Sequence, residues 1–598
     1  MAGSSNNSGD IVNFTINVGG SPIPDYERVL SIHIEKRINR ISVARIVILD
    51  GDSSTGTFDA SSSDTFVPGG VVSIELGYDT SSTVIFKGII TGQSIRIDPS
   101  VGSALEVECR DEAIKMIVGR KSLTFSQKKD SDIISSIIGT YSGLTSDVAA
   151  TNTEWPEQIQ YYVTDWDFIM ARAETNGMVI TTLNGKVSVF KPDADTSSVL
   201  TVGYGDGLYT FNADLNAVTQ LGNVKASSWD YKNQVVSSAE ASSSIAGPGN
   251  ISSKTLSEVI GLSDFQLQTT AALESADLTN WSNAQLIKSE FSKIIGEAKI
   301  QGNASVNPGN YITLQGLGDR FTGDYLVSGV VHNFSEGNWM TDVSLGLSPM
   351  WFTEEPDVMA PSASGLLPGV RGLFNGTVKK IFDDPDSEYR ILVEVPLFDP
   401  NGAGIWARLS NFYSTSGAGV FFLPEVGDEV ILGFLNEDPR SPVILGSMYS
   451  SSKLQPFSGL SPNEKNNIKA IVSKSGVSIE FDDENKILTI ATPAKNTVVM
   501  SDKDKQISMT DQNSNSIVMS SDGITIKSPK TINIQGQQKV SIAGTQGVTV
   551  EASTGDVAVT GMNIKETANE QYSAEGSMTA QISSGTQLTM KSAMIMIN

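Results

Sequence analysis

Between Ile524 and Val559 the chain repeats a short unit of two apolar residues split by one other residue: Ile524/Ile526, Ile532/Ile534, Val540/Ile542, Val548/Val550 and Val557/Val559. The first members step by 8, 8, 8 and then 9 residues. Ile479/Phe481, Leu488/Ile490, Val498/Met500, Ile507/Met509 and Ile517/Met519 precede them at steps of 9, 10, 9 and 10, and Ala580/Ile582 and Leu588/Met590 follow. A period of two puts both members of a pair on one face of an extended segment. A unit this short is too narrow to close a solenoid turn around its own core, so that face stays bare unless other chains cover it. Three chains wound about one axis would cover each other's Ile, Val and Met and pair the strand edges that a lone chain leaves open. The expected form of residues 468–598 is an intertwined trimeric β-helix, or β-prism, with those ten Ile and Val residues as its trimer core. A single-chain β-helix or an extended β-sandwich is the alternative.

Composition sets this region apart. Residues 468–598 contain two aromatics, Phe481 and Tyr572, and two prolines, yet hold eight of the sixteen methionines. Over the whole chain, 598 residues suffice for about four domains. With 42 basic and 67 acidic side chains the formal charge is −25, which repels phosphate, so no nucleic-acid partner is expected. Apolar residues make up 39% and charged residues 18%, enough to bury real cores. There is no apolar run of the ~18 residues a spanning helix needs, and no basic residue before Arg28 to open a signal peptide. Assembly in a cytosol is expected. Cys109 is the one cysteine and His33 and His332 the only histidines, so neither a disulfide nor a thiolate or histidine metal site is expected, and no cofactor.

Residues 1–365 read as a mainly β region with some helix. Val43–Leu49, Val71–Leu76, Ile85–Ile90 and Leu105–Cys109 are β-rich runs that suit barrel-like domains. A helix is predicted over Asp165–Glu174, stopped by Asn176-Gly177, and a second over Thr279–Ile295, with Trp281, Ala284, Ile287, Phe291 and Ile294 as its apolar stripe. A proline-rich passage around Pro361 and Pro368 marks a boundary. Residues 366–450 then carry five or so short strands, among them Gly376–Ile381, Tyr389–Val395, Ile405–Leu409 and Glu429–Phe434, the pattern of a small closed barrel such as an OB-fold. No basic, aromatic-rich groove is evident in it. Residues 451–467 are read as a linker.

The block Gly404–Leu409, Gly419–Leu435 and Asp438–Tyr449 resembles the OB-fold signature of VgrG proteins and related phage baseplate spikes. Phe66-Val67-Pro68-Gly69, Phe86-Lys87-Gly88 and Gly318–Gly323 leading to His332 and Trp339 look like the hub portion of that family. Ile471–Gly476 and Ile479–Asp483 look like the start of its shaft. The resemblance implies a baseplate hub with tail-tube-like barrels, an OB collar and a membrane-puncturing needle of a contractile injection system. It implies a homotrimer, with two tube-like domains per chain matching a sixfold inner tube. Further partners implied are baseplate proteins, a PAAR-type tip protein, effector cargo and, on firing, the target-cell membrane. On this reading Met594, Ile595, Met596, Ile597 and Asn598 are the tip-docking residues, and the particle is exported or released and driven into target cells. The stretch between collar and shaft is too short to hold an enzyme.

Catalysis has little to draw on. Asp383-Asp384 and Asp482-Asp483-Glu484 are the obvious carboxylate clusters, and their turn-like neighbours point to solvated turns rather than to sugar cleavage. Gly119-Arg120-Lys121-Ser122 lacks the earlier glycine of a phosphate loop. The competing function is a trimeric tail fibre that binds or cleaves surface glycans. Such a fibre needs a broad groove with exposed aromatics and paired acids, and the repeat region has two aromatics in 131 residues.

Overall fold

A computed structural model of the chain describes residues 11–24, 28–99, 102–193, 197–230, 233–355, 358–398, 402–451, 453–455 and 463–597. It divides into two compact units, Met1–Met448 and Tyr449–Asn598. No helix among the described residues is long and apolar enough to cross a membrane.

The first unit is organised by a thirteen-stranded sheet. Its N-terminal half runs in the order Arg28–Arg37, Val43–Leu49, Gly102–Arg110, Ser81–Asp98, Val71–Tyr78, Val12–Val18. Alternation along the strands sorts the side chains as expected: Ala44, Ile46 and Ile48 on one strand and Val72, Ile74 and Leu76 on another are fully buried in one core. In the other half six strands form a ring, because Tyr311–Gln315 pairs with Ser198–Tyr204 on one side and with Gly323–Ser335 on the other. Ile300, Leu314, Val327 and Val343 fill that ring. Gly323–Ser335 also pairs with Arg28–Arg37, His332 standing opposite Ile34, so this strand is the seam between the two halves.

The helix at Asp165–Thr175 starts where Thr164 accepts the Asp167 amide and stops at Asn176, with Gly177 at φ +68°, as the sequence predicts. The second helix differs. It spans Ser275–Phe291, and Ile294 and Ile295 open the strand Ile294–Gln301, which pairs on both sides within the ring. Two flanking strands outweigh one more helical turn for β-branched residues. The helix also buries Leu278, Ser282, Leu286 and Ser289 besides Ala284, because it lies between the strands Asn223–Asp230 and Val235–Ser242 and the first helix.

Phe374–Lys380, Ile391–Glu394, Ile405–Leu409, Pro442–Ser447 and Glu429–Phe434 close a five-stranded barrel around Val378, Ile391, Val393, Ala407, Val430, Leu432 and Ile444. The strand expected from Tyr389 begins at Ile391 because the Arg390 side chain and amide are drawn into the preceding turn by Asp384.

In the second unit seven strands from Ile468–Val472 to Gly523–Lys527 pair antiparallel, each with the next. The five inner strands of this sheet thus have both edges paired within one chain. From 478 to 520 the strands have five residues and their turns alternate between four residues, 483–486 and 502–505, and five, 492–496 and 511–515. Those alternating turns are the origin of the 9, 10, 9, 10 steps. Beyond Lys527 the architecture changes: none of the described residues from 528 to 597 is in a helix or strand.

Candidate functional site

The antiparallel register gathers the apolar pairs into two files on one face of the second unit's sheet. One file runs Ile479, Ile490, Val498, Met509, Ile517, Ile526, and the other Phe481, Leu488, Met500, Ile507, Met519, Ile524. Cross-strand neighbours of this kind stabilise the sheet, but the described residues leave the files open to solvent. Ile479, Ile517 and Met509 keep 36%, 38% and 45% of their surface exposed. A groove of about 510 Å³ runs along the face between Ile490, Val498, Met509, Ile517, Ile526 and Ile532. At one edge the turns are stitched together: Asn496 Oδ1 accepts the Gln512 amide at 3.1 Å, and Ser528 Oγ donates to Asn515 Oδ1 at 2.6 Å.

Past this sheet the chain bends at 529–530, 537–538, 545–546, 553–555, 562, 569–570, 577–578, 585–586 and 593. Eight residues separate most bends, and each apolar pair follows a bend by two and four positions. The nine-residue step to Val557 comes from the three-residue bend Ser553-Thr554-Gly555, and the single bend at Met562 restores the phase.

The ten expected core residues are not a core within one chain. Ile524 and Ile526 lie on the last strand, while Ile532, Ile534, Val540, Ile542, Val548, Val550, Val557 and Val559 lie in the bent segment, and all ten are exposed. Exposure alternates within each bent pair, 49% for Ile532 against 68% for Ile534 and 47% for Val540 against 72% for Ile542. Ile534 and Ile542 are each the more exposed member of their pair, with nothing in the same chain laid over them. The sequence reading missed Ile564 and Tyr572, which continue the register and which the eight-residue step from Val548 would have found. Met594, Ile595, Met596 and Ile597 are exposed, and Asn598 lies outside the described residues.

The carboxylate clusters serve turns. Asp384 accepts Arg390 Nη2 at 2.6 Å and Nε at 3.0 Å and the amides of Glu388 and Arg390, and the guanidinium holds its carboxyl well below the usual range. Asp482 accepts from Asn485, Asp483 pairs with Lys469, and Glu484 pairs with Lys465 at 2.5 Å. Lys121 is held by Asp165 at 2.6 Å. His33 Nδ1 lies 2.7 Å from Asn333 Oδ1, and Cys109 is fully buried, its thiol pushed up to about 12 by desolvation. On the barrel, Tyr389, Phe412, Phe421 and Phe422 are exposed, with Tyr389 edge-on to Phe421 at 6.4 Å. The adjacent cation, Arg390, is bound to Asp384 and Asp386.

This barrel, residues 374–449, matches the type VI secretion system/phage-baseplate injector OB domain, and residues 8–336, more than half of the chain, match the Alg8 N-terminal domain. The chain belongs to the Alg8 N-terminal domain family and to the VgrG and phage-baseplate hub-spike proteins. Among VgrG relatives, the type VI secretion system spike protein VgrG1a of Pseudomonas aeruginosa is 22% identical over 360 residues, 55% of this chain and 54% of that protein. VgrG1b of the same organism is 30% identical over 78 residues, 13% of this chain and 10% of that protein. The chain thus spans about half the length of the first VgrG relative and a tenth of the second. A solved type VI secretion component of E. coli, described as structurally similar to the T4 bacteriophage tail proteins gp27 and gp5, is 12% identical. It covers 72% of this chain and 99% of its own at a TM-score of 0.38, too loose an overlay to bear on the hub-spike assignment.

Proposed function

We propose that the chain is the structural spike and hub of a contractile injection system, acting as a homotrimer. The observation that carries this is the segment 528–597: its apolar pairs recur mostly every eight residues, are exposed, and have no strand ladder of their own among the described residues. A partner must present apolar residues at the same eight-residue step along the same length, and another copy of the segment does so by construction. Backbone groups left open in one chain then pair between chains, which makes the shaft a stiff rod. On this reading Ile534 and Ile542, bare in one chain, are covered by the other two.

Residues 1–365 are then the hub, 366–450 the collar, 451–467 a linker and 468–598 the needle. The hub sheet has two halves per chain, so three chains offer six tube-like faces to a sixfold inner tube. Exposed Met594–Ile597 form the surface a PAAR-type tip protein would dock on, and effectors travel with the spike. The mechanism is transmission of force from a baseplate to a membrane, with no catalytic residue assigned. A charge of −25 per chain keeps the assembly soluble and off anionic lipid before firing.

Light scattering and electron microscopy of the purified full chain test the proposal. A trimer with a thin shaft is expected. A stable monomer whose residues 528–597 fold compactly would overturn it.

A further inference from the structure

The two stretches of the repeat hold their shape by different means. From 478 to 520 each turn is closed by residues of its own. The Thr492 amide donates to the Asn496 carbonyl and the Asp511 amide to that of Asn515, each at 3.0 Å. Side chains at the turns take up further amides: Asp482 Oδ1 accepts that of Asn485 at 3.1 Å, Ser501 Oγ that of Asp504 at 3.0 Å, and Asp511 Oδ1 those of Asn513 and Asn515 at 2.8 Å. Lys486, Lys495, Lys505 and Ser514 give each of the four turns one left-handed residue, at φ +54°, +68°, +51° and +65°. The bent segment has nothing comparable. None of its described residues from 528 to 597 is in a hydrogen-bonded turn, a helix or a strand, and the described hydrogen bonds within 529–597 join residues no more than six positions apart.

We infer that the shaft assembles in two stages, from the sheet outward: the hairpins up to Lys527 form within each chain and supply the surface on which copies first meet, and 528–597 orders only afterwards, between chains. The inference rests on the trimeric reading above. A hairpin with a four- or five-residue turn closes a short loop and forms in about 1–10 μs without any partner. Its product is a pair of apolar files already aligned on one face, a single layer that stays weak until something covers it. Covering it with the same face of another copy loses little further chain entropy, because the residues are in place beforehand. Copies meeting first at 528–597 would have to order that whole stretch in each chain within one event, before its contacts offset the entropy of fixing the backbone. Growth from an ordered end adds one turn at a time, as helix propagation does once a nucleus exists. Such an end is present. Ser528 is tied to the sheet by its bond to Asn515, and the groove on the apolar face reaches Ile532, the first residue of the first bent pair.

The test uses the full chain, with M509A and I517A in the files of the sheet and I542A and V550A in the bent segment, each unfolded in guanidinium and refolded by dilution. Trimer formation is timed by light scattering at matched protein concentrations, and dissociation is timed at one fixed guanidinium concentration. M509A and I517A are expected to slow trimer formation about threefold or more, whereas I542A and V550A form trimers within about twofold of the parental rate and dissociate about tenfold faster. Pulse-labelled hydrogen exchange on the refolding parent is expected to protect amides of 478–520 before those of 530–590. Sheet variants that form trimers at the parental rate, or bent-segment variants slowed as much as they are, overturn the order of events. Protection that arises in both stretches in a single phase, or in 530–590 first, overturns it as well. A parent that stays monomeric overturns the trimeric reading and the two stages with it.

Discussion

Asp130 accepts two hydrogen bonds from the Arg172 guanidinium, 2.7 Å to Nε and 2.9 Å to Nη2, with Asp130 almost wholly buried. Trp155 Nε1 and Asn176 Nδ2 also donate to Asp130, at 3.1 and 2.9 Å, and Arg172 lies over the Trp155 ring. One carboxylate therefore ties together the helices Asp130–Ile138 and Asp165–Thr175 and the strand Glu154–Val163. Removing one partner of such a pair strands the other charge away from water. Arg172→Ala is expected to destabilise the first unit by about 3 kcal/mol, read from its denaturant transition. A loss below about 1 kcal/mol, the scale of a surface pair, would refute the picture.

Gly177 sits at φ +68°, and a Cβ built there would lie 2.8 Å from Ile287 Cδ1 and 3.4 Å from the Ala284 backbone. The backbone conformation disfavours a side chain, and a Cβ would make the end of Ile287 shift. Gly177→Ala is expected to cost about 1–3 kcal/mol, and Gly177→Val more, in thermal unfolding of the full chain. Equal melting of parent and alanine variant would show that the loop relaxes freely.

How much of this was legible in the chain depended on whether a feature is set locally. The Asn176-Gly177 stop and the strands Val43–Leu49, Ile405–Leu409 and Glu429–Phe434 follow from residues within a few positions, and the structure puts them at the expected limits. The end of the second helix is not local: Ile294 leaves it because strands at 207–215 and 338–345 claim its backbone. The 9- and 10-residue steps at Ile479–Ile517 were visible, yet their cause, hairpins closed within one chain, depended on turn lengths read against pairing rather than on apolar spacing. The pairing of Ile532 with Ile534 was equally visible, but spacing alone does not say whether the face they share is covered, and in one chain it is bare.

His332 is fully buried on the seam strand between the two halves of the hub sheet. Its Nδ1 lies 3.1 Å from Thr341 Oγ1, the Trp339 ring packs beside it, and Nε2 has no partner among the described residues. Burial, then the nearby Lys36 ammonium from the adjoining strand, holds its pKa well below the usual value of 6.5. The folded state thus keeps His332 neutral while the unfolded chain binds a proton below about pH 6.5. The stability it contributes is present above that pH and falls as pH drops, by up to about 1.4 kcal/mol per unit. Comparing parent and His332→Phe between about pH 7.5 and 5.5, a window that brackets the ordinary imidazole pKa, isolates this group from the carboxylates. The parent should lose more stability than the variant, and parallel pH profiles would count against a buried neutral imidazole.

Ile542 is 72% exposed in one chain and occupies the outer member of a repeat pair in the segment 528–597, as Ile534 does one turn earlier. If three copies cover that face, Ile542→Asp places three like charges around one axis with no donor in the adjacent turns, where Ile534, Val540, Val548 and Val550 surround them. Desolvating three carboxylates costs several kcal/mol each, more than the roughly 1 kcal/mol gained per apolar side chain at about 25 cal/mol per Å². Ile534→Asp makes the same demand at its own level and is expected to behave alike. The first unit contains neither position, so its own melting should be unchanged while the oligomer is lost. Light scattering should report a monomer for either variant beside a trimeric parent. A trimer of unchanged mass would mean that the exposed pairs of this segment do not meet across chains.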